Sequence, residues 1–196
     1  MGGALWKAFV FGAVIAGSIG PIALLIFGIA ARAGFAAGAF AGLGAALADL
    51  AYALAAFWIG ALILPLLEAH ETAIRVGAAL LLVGLGLSML LNRRRGTEAP
   101  AAVGSFLPVF LLTIVNPMTL VVFAGIVPQL PVAGSPANAA WLALALFAGS
   151  VFVQFAIAGF GAALGSALPD AATRRAINVA AALGILAFGV YGLAAA

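Results

Sequence analysis

Cysteine is absent from the 196 residues, which removes disulfides, thiolate metal sites and dithiol redox shuttling together. Charge is nearly absent as well. Only 7% of the residues are charged, where a soluble domain carries about a quarter. The single histidine, His70, has only Glu68 and Glu71 beside it, a set no further His or Cys completes, so a solvated loop is expected and not a metal site. No Ser/His/Asp arrangement, no HExxH and no glycine-rich loop followed by Lys-Ser/Thr occurs. The chain is therefore expected to be no enzyme and to carry no cofactor or nucleotide. The net charge of +3 sets eight basic residues, scattered between apolar runs, against five acidic ones. The basic residues form no stripe that could track phosphates, which excludes nucleic acid as a partner.

What remains is apolar. Hydrophobic residues make up 67% of the chain, and several runs reach the roughly 20 residues needed to cross a hydrocarbon core about 30 Å thick. Charge, proline and polar clusters divide the chain into six candidate spans: Trp6–Ala31, Phe35–Leu66, Ala73–Leu91, Gly104–Leu130, Ala139–Leu168 and Ala176–Ala195. The second is long enough to need tilt, a projecting end or a break near Pro65. The first lacks a basic cluster before it and reads as a mature helix, not a signal peptide. Arg32, Arg93–Arg94–Arg95 and Arg174–Arg175 fall in alternate connections, which places them on the cytoplasmic face and both termini outside.

Three spans in each half make any similarity between halves an inverted repeat. "IGPIALLIFG" (Ile19–Gly28) aligns with "VNPMTLVVFA" (Val115–Ala124), setting Pro21 on Pro117, and "IRVGAALLLVGLGL" (Ile74–Leu87) aligns with "INVAAALGILAFGV" (Ile177–Val190), setting Gly86 on Gly189. The expected architecture is a single all-α transmembrane domain, residues 1–196. Pseudo-repeats 1–91 and 104–196 flank a cytoplasmic linker 92–103, and the first and fourth helices are broken.

The breaks carry the chemistry. Proline lacks an N–H and disfavours helix in the preceding residue, yet suits the first turn of a new helix. A helix interrupted at "GSIGP" (Gly17, Ser18, Gly20, Pro21) restarts with exposed amides that can hold an anionic group, and Asn116–Pro117 offers the same in the other half. Pro21 lies ~22 Å from the outer face and Pro117 ~20 Å from the inner, at 1.5 Å per residue. Both reach the centre. Two prolines that merely kink packed helices remain the alternative.

Asp49 is the sole acid within the apolar interior of a span, at a depth where a charge costs at least ~3 kcal/mol. It lies beside a ridge of small residues, Gly34, Gly38, Gly42 and Ala46, that lets helices approach closely. It reads as a proton-coupling or ammonium-binding group, or as a protonated carboxyl hydrogen-bonded between helices. Aligning Gly60 with Gly161 puts Ser150 opposite Asp49. Ser150 and Gln154 could order a substrate or act as interhelical glue. Thr113 and Ser18 add hydroxyls near the breaks, unless these bond their own backbone.

The chain resembles the lysine exporter (LysE/RhtB-type) family through "GSIGP", "RAGFAAGAFAGLGAALADLAY" (Arg32–Tyr52), "VGAALLLVGLGL" (Val76–Leu87) and "FLLTIVNPMTLVVF" (Phe110–Phe123). The resemblance implies a six-helix bacterial inner-membrane carrier that exports amino acids or close relatives, coupled in some members to proton entry. Gly20–Pro21, Asp49 and Asn116–Pro117 match that family's motifs. Ile22, Ala23 and Met118 depart from them, standing where many relatives have Asn or Gln and, after Asn-Pro, Lys. Expected partners are an amino-acid substrate, the bilayer and a second copy in a homodimer. Two other readings stand beside this one: a non-transporting scaffold that dimerises through the glycine ridge, and an exporter of a metal ion or small inorganic solute on a related fold.

Overall fold

A chain this apolar has to satisfy its backbone within each segment, and helices do so without lateral partners. A computed structural model of the chain describes residues 2–18, 20–91, 105–116, 119, 123, 136–167 and 171–194. Among them the regular structure is helical: α1 Gly2–Gly17, α2 Pro21–Ala69, α3 Glu71–Leu91, α4 Phe106–Ile114, α5 Pro136–Ala167 and α6 Ala171–Ala194. By length and composition alone the helical runs Pro21–Phe57 and Ala137–Ala167 suffice to cross a bilayer, although the first is folded in two. Large apolar side chains such as Trp6, Leu107, Phe152 and Phe160 face outward, as lipid contact requires and water would penalise.

The 49 residues of α2 would extend ~74 Å if straight, more than twice the hydrocarbon thickness. They do not run straight. Gly34 has φ +85°, the left-handed conformation that terminates a helix at little cost only in glycine. A Cβ added at Gly38 would lie 2.5 Å from the Cβ of Ala30, whereas eight residues of straight helix span ~12 Å. The chain therefore reverses at Gly34 into two packed arms, residues 21–33 and 35–69. Arg32 closes the first arm by donating its Nε–H to the carbonyl of Gly28, at 3.1 Å. Gly34 thus corrects the expected ridge: it is exposed and forms the turn, while Gly38, Gly42 and Ala46 pack inward.

Two apolar clusters organise the interior. One joins Ile22, Ile26 and Ile29 of the first arm to Ala37, Ala41 and Ala45 of the second, with Leu82, Val109, Ala158 and Ile185. The other joins Ala8 and Ile15 of α1 to Ala53, Phe123, Leu142, Ala143 and Leu146. α5 is the hub. It packs on α1 and on both arms of α2, while α1 barely touches the helix that follows it. α4 lies on the 35–69 arm, and α3 packs on α6.

Glycines set the separations. A Cβ at Gly12 would fall 1.9 Å from the Leu146 carbonyl oxygen, and one at Gly149 would fall 1.9 Å from that of Phe9. Between α3 and α6, Gly86 abuts Ala182 and Leu186 while Gly189 abuts Ala79 and Val83.

Element limits differ from the sequence reading where hydropathy is silent. α2 continues through Pro65 to Ala69 without the break considered there; proline is tolerated in membrane helices where neighbours re-satisfy the backbone. α6 begins at Ala171, not Ala176, so Arg174 and Arg175 are helical. Hydropathy marks only the part of a helix inside hydrocarbon, and arginine is a good helix former beyond it. The linker 92–103 lies outside the described residues.

Candidate functional site

The two helix interruptions have different surroundings. α1 ends at Gly17, and the Ser18 amide turns back to the carbonyls of Val14 and Ile15. The next helix starts with Pro21 in its first position, and the Gly20 carbonyl accepts the Leu24 amide at 3.2 Å. Such a start leaves first-turn amides without a carbonyl in their own helix. On the other side α4 ends at Ile114, where the Val115 amide returns to Leu111 and the Asn116 amide to Thr113. Pro117 lies outside the described residues.

Between the interruptions two helices cross. The 35–69 arm and α5 run antiparallel, with Gly38 on Ala158, Gly42 on Gln154 and Asp49 on Ser150. The hydroxyl of Ser150 donates to Oδ2 of Asp49 at 2.7 Å. Asp49 is 3% exposed and Ser150 is 0% exposed, so the carboxyl is sealed from solvent on the helix face expected to avoid lipid. Along the 35–69 arm, Asp49 falls between the two apolar clusters, after Ala45 and before Ala53. Ser150 falls likewise between Leu146 and Ala158. The polar pair is the seam between them.

The breaks flank that seam. α1 runs parallel to α5, with Gly12 on Leu146 and Gly17 on Val153, so its end lies about one turn, ~5 Å, past Ser150. α4 runs parallel to the 35–69 arm, with Phe106 and Phe110 on Gly44 and Ile114 on Tyr52. Its end lies one turn past Asp49. Because the central helices are antiparallel, the two breaks fall on opposite sides of the carboxyl.

Gln154, one turn from Ser150 and 4% exposed, keeps its Oε1 without a hydrogen-bond partner among the described residues. A buried amide oxygen left unmet costs ~1–3 kcal/mol, so this atom is an acceptor awaiting a donor. Two of the expected hydroxyls are already committed. Ser18 donates to the Ile15 carbonyl at 2.7 Å, and Thr113 to that of Val109 at 2.8 Å; both bond their own helix, the alternative that short polar side chains in helices commonly adopt. Asn116 is half-buried at the α4 break, whereas Gly17 and Ser18 are exposed. Tyr52 was not among the expected site residues. Its hydroxyl donates to the Ile114 carbonyl, and its position one turn after Asp49 was the available signal.

No group of three or more His, Cys, Asp or Glu residues able to hold a metal occurs among the described residues. The donor set is one carboxyl, an amide, hydroxyls and main-chain ends. That suits an organic molecule bearing both acceptor and donor groups better than a metal ion. The family described as LysE type translocator matches residues 13–195. No curated protein and no solved structure is a significant match.

Proposed function

The chain belongs to the LysE type translocator family, a membrane family of translocators and not enzymes, and from that premise we propose that it exports amino acids or related small zwitterions across the bacterial inner membrane, coupled to proton entry. One observation carries the reading: a buried carboxyl hydrogen-bonded to Ser150, with a helix interruption about one turn away on each side.

A zwitterion needs a partner for each of its opposite charges, and this reading assigns one to each. The amides at the restart after Gly20–Pro21 and the residues at Asn116–Pro117 take the carboxylate. Asp49, supported by Ser150 and the Gln154 amide oxygen, takes the ammonium group. When the substrate leaves, a proton replaces it on Asp49, so the carboxyl is never left charged and unpaired in the bilayer.

The reading also takes the two halves as an inverted repeat. The register that sets Gly86 on Gly189 also sets Ala79 on Ala182 and Val83 on Leu186, so the contacts of the two glycines are reciprocal. Reciprocity is what a two-fold relation produces. The basic linker and Arg174–Arg175 would then face the cytoplasm, with both termini outside. Gly38 and Gly42 are engaged inside the monomer, against Ala158 and Gln154, so the scaffold reading loses its dimer face. A homodimer would use another surface.

Vesicles loaded with a panel of labelled amino acids test the proposal. Wild type should release at least one in response to an inward proton gradient. Asp49→Asn and Asn116→Ala, inserted at normal levels, should each lose at least ~tenfold in rate, equivalent to ~1.4 kcal/mol. Normal transport by both variants would remove these residues from the mechanism.

A further inference from the structure

Tyr52 holds both sides of the fourth-span interruption with one side chain. Its hydroxyl donates to the carbonyl of Ile114, the last residue of α4. Its ring lies against Phe123, beyond the interruption, with centroids 5.4 Å apart and planes inclined by 31°. The Ile114 carbonyl belongs to the final four of its helix, which have no intrahelical amide to receive. Among the described residues the Val115 and Asn116 amides return to Leu111 and Thr113, and the i+3 position is Pro117, which has no N–H. Tyr52 supplies the donor.

Among the described residues, the first interruption shows no such fastening. In the register that sets Asp49 on Ser150, the counterpart of Tyr52 is Val153, whose Cγ1 would only touch a Cβ at Gly17, at 3.8 Å. Ser18 spends its hydroxyl within α1, and both Gly17 and Ser18 are exposed. One break is clamped by a hydrogen bond and an aromatic contact. At the other, the described residues show van der Waals contact alone.

We infer that Tyr52 is a positioning residue: it fixes the broken end of α4 one turn from Asp49, so that Asn116 is held in place for substrate. The inference rests on the proposed transport site for its functional meaning. Its structural content, an asymmetric clamp, stands apart from it.

Hydrogen exchange followed by mass spectrometry on the full chain in lipid nanodiscs decides that content. In wild type, the amides of residues 111–116 should exchange at least ~tenfold more slowly than those of residues 14–20. Equal or faster exchange overturns the clamp, and this comparison needs no variant. Tyr52→Phe keeps the ring on Phe123 and removes only the donor. It should accelerate exchange at 111–116 at least ~fivefold while α5 stays within ~twofold of wild type. Unchanged exchange at 111–116, or equal acceleration throughout α5, overturns it. For the amino acid that wild type releases, Tyr52→Phe should raise the half-saturating concentration ~fivefold at a maximal rate within ~twofold, because a binding group is displaced and not removed. An unaltered half-saturating concentration overturns the positioning role. If wild type moves no amino acid, the transport reading fails while the exchange measurements still decide the clamp.

Discussion

Gly149→Ala should force α1 away from α5, whereas Gly159→Ala on the same helix should not. A methyl at Gly149 would sit 1.9 Å from the Phe9 carbonyl oxygen and 2.9 Å from the Ala13 amide nitrogen, but nothing lies within 4 Å of one at Gly159. A carbon and a carbonyl oxygen need ~3.3 Å, so the helices must part by ~1.4 Å. The obstacle is main chain and cannot rotate aside. Both variants gain the same ~1 kcal/mol of helix propensity, so their difference isolates the overpacking, ~2–3 kcal/mol at the upper end of its usual range. At roughly 2–4 °C per kcal/mol for a chain of this size, the gap in Tm is ~4–12 °C. Thermal unfolding in one detergent, followed by the loss of the monodisperse chromatographic peak, measures it. Equal melting of the two variants would refute the close approach of α1 and α5, and with it the placement of the first interruption beside Val153.

The reversal at Gly34 predicts that Gly34→Ala loses ~1–2 kcal/mol despite open space around it, because the cost is the left-handed backbone, and that Gly34→Asn loses less; an Ala variant as stable as wild type would mean the turn is not left-handed. Ser150→Ala and Asp49→Ala should be non-additive in a double-mutant cycle of chemical unfolding, with a coupling of ~1–3 kcal/mol for a buried hydrogen bond. A coupling below ~0.3 kcal/mol would show that the two side chains do not interact.

Much of the site was written in residue types that have few other uses. Proline and glycine at Gly17–Pro21 announce an interruption because proline lacks an N–H and disfavours helix in the residue before it while glycine weakens a helix, and α1 does end at Gly17 with a restart at Pro21. Asp49 stands out because acids are so costly at its depth; aligning the halves made Ser150 its equivalent position, and the hydrogen bond between the two is seen only in three dimensions. The relations that depend on three dimensions were not legible. Gly34 shares the four-residue spacing of Gly38 and Gly42, so periodicity assigned it to a packing face, and only the backbone angle reveals a turn. Nothing in the spacing of Tyr52 says that its hydroxyl reaches a carbonyl 62 residues away. Thr113 and Ser18 illustrate the reverse: both were visible as hydroxyls near the breaks, and both turn out to be occupied by their own helices.

The first helix finds its packing on the fifth, through Gly12 and Gly149, while the fourth lies on the long arm of the second. Each half therefore lends its leading segment to the other, like two clasped hands. During synthesis α1 emerges more than a hundred residues before the surface it will settle on, and it has to wait in lipid as a lone hydrophobic rod. Severing the chain at the linker would consequently not yield two independent bodies, and biogenesis is complete only when the last-made half closes over the first.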